Sequence, residues 1–196
     1  SLAHDLLEAE LARTQQKHID DARALFFCTG YLANITAITA LAGLGLQGVN
    51  QNAGISIYSA KLNHASLIDG VKLAATQTKA TVHLFDHTKL ADLNEMLQAD
   101  SSAHKLIVTD GVFSMDGDLA PVADLLAIAE AHDALLIVDD AHGFGVLGKY
   151  GHGILEHCQI QSDRIVYIGT LGKAAGVITM IRSRWKKWCE VDSCYT

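Results

Sequence analysis

Three apolar runs of strand length constrain this chain more than any other feature. Lys105-Leu-Ile-Val-Thr, Ala134-Leu-Leu-Ile-Val-Asp and Arg164-Ile-Val-Tyr-Ile-Gly begin 29 and 30 residues apart. Their branched side chains favour a pleated backbone, and they are apolar at nearly every position, as in a strand buried on both faces. Between the first two, Pro121–His132 opens on proline, which suits a helix start, and repeats apolar residues at Val122, Leu125, Leu126 and Ala129. Strand, helix, strand at this spacing is the βαβ unit. It predicts an α/β fold with a largely parallel sheet covered by helices on both sides.

The rest of the chain is compatible with that frame. The spacing of Leu2, Leu6, Ala9 and Arg13 predicts a helix over residues 2–18. Ala24–Cys28 reads as a short strand ended by Gly30, and Tyr31–Ala42 as a buried helix that stops at Gly43. With one proline, no linker and no internal repeat, 196 residues suit one domain of good size or two small ones. Fifteen basic against 22 acidic residues give a net charge of −7, which argues against a nucleic-acid partner. No uninterrupted apolar run is long enough to span a membrane, and the opening residues lack the pattern of a signal peptide, so a cytoplasmic protein is expected. Cys28, Cys158, Cys189 and Cys194 are scattered without a CxxC, as reduced thiols would be. The pairs His83/His87 and His152/His157 have no further ligands at metal spacing, so no metal is expected.

In parallel sheets, ligands bind beyond the carboxyl ends of the strands. Those ends read Thr109-Asp110-Gly111, Asp139-Asp140-Ala141-His142 and Thr170-Leu171-Gly172-Lys173. Two dinucleotide-type glycine patterns fail on context: Gly143/Gly145/Gly148 runs into further glycines instead of a helix, and Gly43/Gly45/Gly48 follows a helix rather than a strand. Gly172-Lys173 is no phosphate-binding P-loop, because Tyr167 and Ala174 stand where that loop needs Gly and Ser or Thr. A different constellation works. Lys173 stands beyond a strand end among the small residues Gly172, Ala174, Ala175 and Gly176. Asp139 closes an apolar strand, where a carboxylate is costly unless a cation meets it. A protonated pyridine nitrogen is such a cation, and His142 follows within reach of an adjacent ring oxygen. An amine able to condense with an aldehyde, with an acid for the ring nitrogen, is what pyridoxal-phosphate chemistry requires.

Asp110-Gly-Val-Phe-Ser-Met-Asp-Gly-Asp, Val138-Asp-Asp-Ala-His-Gly, Asn63-His-Ala-Ser and Thr170-Leu-Gly-Lys, in this order and spacing, resemble the α-oxoamine synthase family of pyridoxal-phosphate enzymes. The resemblance covers residues 4 to 177. It implies a three-layer α/β/α large domain of the fold-type I transferases with a mostly parallel sheet, incomplete at its N terminus (residues 1–177). An atypical tail (178–196) is expected to follow, and the family's C-terminal small domain is expected to be absent. Within the family the chain is most similar to members that condense L-alanine with pimeloyl-CoA or a pimeloyl-acyl-carrier protein, with loss of carbon dioxide. Members that join glycine to acetyl-CoA typically carry Ser where Ala141 stands, and they are the runner-up. A non-catalytic remnant that kept the pocket is the alternative of another class.

The resemblance also implies residue roles. Lys173 binds pyridoxal 5'-phosphate covalently and moves the α-proton of the amino acid. Asp139 keeps the pyridinium protonated, His142 and Ser114 bond the phenolic oxygen, and His64 stacks on the ring. Gly30 and Tyr31 offer backbone amides to the phosphate at a helix start, and Thr170 adds a hydroxyl. Asp110 takes the place of an acidic residue in the relatives, against a plain capping role. Asp116 and Asp118 suit a turn around Gly117 better than acid–base work. A homodimer with its active site at the subunit interface is implied too. From Ile178 the family pattern is lost. The basic and aromatic stretch Arg182, Arg184, Trp185, Lys186, Lys187 and Trp188 is expected to be an irrelevant tail rather than a membrane or nucleic-acid patch. Gly45–Ile57 is expected to be a long polar connection.

Overall fold

The protein is described here by a computed structural model, which describes residues 1–47, 54–115, 117–174 and 178–182. In chain order the elements are α1 (Leu2–Gln15), β1 (Arg23–Phe26), α2 (Gly30–Gln47), β2 (Ile55–Ala60), α3 (Ala65–Thr78), β3 (Thr81–Phe85) and α4 (Leu90–Ala99). They continue with β4 (His104–Asp110), α5 (Val122–Ala131), β5 (Leu135–Asp139), α6 (Ile154–His157), β6 (Ile165–Thr170), α7 (Leu171–Ala174) and β7 (Ile178–Arg182). The strands form one sheet in the order β1-β7-β6-β5-β4-β2-β3. β7 runs antiparallel to both of its neighbours, and every other adjacent pair is parallel.

The near-continuous apolar character of the strands has the expected cause. Along β4, β5 and β6, Leu106, Val108, Leu135, Ile137, Val166 and Ile168 face one side, where α2 and α3 bring Ala33, Ile38, Leu41, Leu67 and Val71. The alternate residues Ile107, Leu136, Val138, Ile165 and Tyr167 face the other side, against Leu93 and Leu97 of α4 and Val122 and Leu125 of α5. Both faces are therefore dry, and the mostly parallel three-layer α/β/α architecture predicted from the sequence is present. α2 and α3 cross closely because Gly70 has no side chain: a Cβ there would lie 2.9 Å from Ile38 Cδ1 and 3.5 Å from the Asn34 carbonyl.

Several boundaries differ from the sequence expectation. α1 ends at Gln15, not at residue 18, because the chain turns to bury His18, whose Nδ1 donates to the Ile160 carbonyl at 2.9 Å. α2 does not stop at Gly43 but runs on to Gln47. Glycine inside a helix costs about 1 kcal/mol, and Leu44 beyond it still packs on the apolar cluster, so burial carries the helix through. Gly45–Ile57 is accordingly no single connection: residues 45–47 end α2 and Ile55–Ile57 open β2, while residues 48–53 lie outside the described residues. The backbone of Ile178–Arg182, placed in the tail by sequence, forms β7 inside the sheet. The remainder of the basic-aromatic stretch lies outside the described residues, as do Cys189, Cys194, Ala175, Gly176 and Asp116. Gly117 (φ +73°) and the Val112–Leu119 bridge do make the turn expected around Asp118.

Candidate active site

Connections leave β2 toward β3 and β4 toward β5, in opposite directions across the sheet. A crevice opens at the carboxyl ends of strands where such a reversal occurs. A cavity of about 200 Å³ lies there, lined by Gly30, Tyr31, Asn34, His64, Ser66, Asp110, Ser114, Asp139, Ala141, His142, Thr170 and Lys173. Every residue singled out above for catalysis or cofactor contact is among them, drawn from segments that follow β1, β2, β4, β5 and β6.

Asp139 ends β5 opposite Asp110 of β4. It is only 7% exposed, and its direct donors are neutral: Asn34 Nδ2 reaches Oδ2 at 2.6 Å and the Ala141 amide reaches Oδ1 at 3.0 Å. Burial pushes its pKa up, against the opposing pull of these hydrogen bonds and of Lys173. Asp110 is pushed up to about 7, first by burial and then by the like charge of Asp139. Its Oδ2 accepts the His64 amide at 2.7 Å, so it caps the turn into α3 while also lining the cavity. Asn63 locks that turn to the sheet: its amide donates to Ser59 Oγ and the Val108 carbonyl, and its Oδ1 accepts the Asp110 amide. Asp140 points away from the cavity and is fully buried. Its Oδ2 accepts the Ile154 amide at 2.6 Å and the Tyr167 hydroxyl at 2.7 Å, and burial pushes its pKa up to about 7. Gly143 and Gly153 pack so tightly on this carboxylate that a side chain at either would overlap it. The glycine-rich run after β5 is thus a fold around a buried acid, not a dinucleotide loop.

Lys173 stands in α7, one short turn beyond β6, with its Nζ 2.7 Å from His142 Nε2. Burial first, and then the Lys173 charge, lowers the His142 pKa, so a neutral imidazole accepts from the amine. At the opposite end, Thr29 satisfies the Leu32 amide with its hydroxyl and the Ala33 amide with its carbonyl. Gly30 and Tyr31, which open α2 and line the cavity, carry amides that have no partner within the helix, at its positive end. Thr170 Oγ1 accepts the Gly172 amide at 3.0 Å, which leaves its hydrogen free to donate. Ser114 and His64 are exposed on the cavity rim.

This donor set suits a flat cationic heteroaromatic ring with a phosphate arm. The buried Asp139 carboxylate gains an opposite charge from a ring N–H, while amides, a helix end and a hydroxyl gather where an anion fits. Asn34 and Ser66 were not singled out from sequence. The available signals were an amide side chain four residues beyond Gly30 in a largely apolar helix, and a serine two residues after His64. Among the described residues no group of His, Cys, Asp or Glu could hold a metal ion, and no helix is long and apolar enough to cross a membrane.

Residues 2–179 match the family described as aminotransferase class I and II. The 8-amino-7-oxononanoate synthase of Ralstonia pickettii is 54% identical over 176 residues, which is 90% of this chain and 41% of the relative. The enzyme of that name from Cupriavidus pinatubonensis is 56% identical over 177 residues, 90% of this chain and 40% of the relative. Among solved structures, Sphingomonas wittichii serine palmitoyltransferase superposes with a TM-score of 0.79 at 31% identity, covering 96% of this chain and 43% of that one. The chain thus spans about two fifths of the length of the curated relatives it matches.

Proposed function

The chain belongs to the class I and II aminotransferase family, and from that premise we propose that it holds pyridoxal 5'-phosphate and serves an acyltransferase that joins L-alanine to a pimeloyl thioester. The reaction on this reading yields 8-amino-7-oxononanoate, carbon dioxide and the free thiol of coenzyme A or acyl-carrier protein. The names of the relatives support the choice of substrates. On the same reading the cofactor-holding large domain extends past residue 177 to take in β7, two copies pair as a homodimer, and the protein works in the cytoplasm.

The observation that carries the proposal is the convergence of a lysine amine, a buried carboxylate and an anion-ready helix start in one small cavity. When bound, the cofactor supplies an electron sink for a carbanion at the amino-acid α-carbon. The chain's own groups do the rest. Asp139 would meet the ring N–H with a carboxylate that burial leaves short of counter-charge. Gly30, Tyr31 and Thr170 would hold the phosphate, His142 and Ser114 would serve the phenolic oxygen, and His64 would pack against the ring. Lys173 Nζ would anchor the cofactor, and the same amine would be the group that takes the α-proton. His142 Nε2, 2.7 Å away, keeps that amine aimed into the cavity.

Incubation with the cofactor, borohydride reduction and peptide mapping test this assignment. The expected result is visible absorbance that changes on adding L-alanine and a reduced adduct on Lys173, both lost in Lys173→Ala. An adduct on another residue, or no uptake of the cofactor, refutes it.

A further inference from the structure

A directional chain of hydrogen bonds joins the two faces of the cavity, and its polarity is fixed by chemistry. Ser66 is 1% exposed and Asn34 is 2% exposed. The Ser66 backbone amide donates to His64 Nδ1 at 3.2 Å, which caps α3. That nitrogen is therefore an acceptor and carries no proton. The contact between His64 Nδ1 and Ser66 Oγ, at 2.7 Å, then has to be donated by the serine hydroxyl. Having spent its only hydrogen, Ser66 Oγ accepts from Asn34 Nδ2 at 2.8 Å. The second hydrogen of the same amide goes to Asp139 Oδ2 at 2.6 Å. Asp139, Asn34, Ser66 and His64 thus form one line in which every hydrogen has a single available place.

Resting on the functional reading above, we propose that Asn34 and Ser66 are positioning residues: they lock the neutral His64 ring in its Nε2–H tautomer at the cavity and tie its orientation to the Asp139 carboxylate. A hydroxyl and a carboxamide can each accept or donate along such a line, which accounts for two fully buried polar side chains where α2 meets α3. The lock also works through the backbone. Gly70 brings α3 against Asn34 and Ile38, so the amide and the serine sit on two helices whose spacing is fixed.

Nitrogen-15 spectra of the histidine-labelled protein, loaded with cofactor and held at a pH where His64 is uncharged, read the tautomer directly. The expected result is a wild-type His64 in the Nε2–H form and, in Ser66→Ala, which keeps the backbone amide but loses the hydroxyl donor, a measurable Nδ1–H share, with Ser66→Thr restoring the single form. Asn34→Asp, which exchanges the donor for an acceptor and turns the serine hydroxyl toward it, should raise the Nδ1–H share as well. A wild-type His64 protonated on Nδ1, or a Ser66→Ala spectrum identical to wild type with normal cofactor loading, overturns this proposal alone. Failure of the wild type to take up cofactor overturns the functional reading and this proposal with it.

Discussion

Asp140 gives the sharpest test of the buried electrostatics. Its carboxyl titrates near pH 7 in the folded protein, whereas in an unfolded chain it loses its proton near pH 4 (about 3.9). Between those values the native state holds the proton more firmly, so raising the pH removes stability. Linkage between a native value of about 7 and an unfolded one of about 4 amounts to roughly 2.5 kcal/mol between about pH 5 and pH 8, most of it lost below about pH 7, where the native carboxyl is still protonated and the unfolded one is not. Asp140→Asn has the same shape. Its amide oxygen can still accept from the Ile154 amide and the Tyr167 hydroxyl, but it carries no charge. Urea unfolding followed by circular dichroism at stepped pH should therefore show the variant gaining on the wild type as pH rises. Asp110 and Asp139 titrate in both proteins and largely cancel in the difference. A difference between wild type and variant that stays flat from pH 5 to pH 8 would refute the placement of a desolvated carboxylate here.

Two substitutions probe the scaffold around the cavity. Gly153→Ala forces a side chain into positive φ (+90°) and against the Asp140 carboxylate and the Tyr167 hydroxyl. A loss of about 3 kcal/mol or more is expected in the same unfolding assay, and a loss under about 1 kcal/mol contradicts the packing described. Asn63→Ala removes the clamp between the ends of β2 and β4 and leaves the Asp110 amide and the Val108 carbonyl unpaired. It should lower stability by about 2 to 4 kcal/mol, and hydrogen exchange at the Asp110 amide should accelerate while β6 stays protected.

Much of this architecture is legible in the sequence because βαβ units write their period directly into the chain. Strands buried on both faces, β4, β5 and β6, stand out as branched apolar runs, and their carboxyl ends name the cavity. Asp139 and Lys173 were found by position and by the cost of burying an unpaired charge. What stayed hidden depended on partners remote in sequence. Asn34 and Ser66 reveal their use only when α2 and α3 are crossed in space, and His18 ends α1 early because of a carbonyl 142 positions away. Gly43 misled for the opposite reason, since burial of Leu44 outweighs a local preference to stop. β7 was missed because its run, Ile178-Thr-Met-Ile-Arg, begins where the family pattern is lost, and an antiparallel insertion leaves no βαβ period to read.

That insertion has a consequence for how the molecule comes together. Among the described strands β1 is bonded to β7 alone, yet β1 leads into the helix start that carries Gly30 and Tyr31. During synthesis β1 therefore waits, without its strand partner, while β2 to β6 emerge and until β7 has left the ribosome. A chain cut just before Ile178 would keep Lys173 and Asp139 and still lack the brace that holds the opposite wall in place.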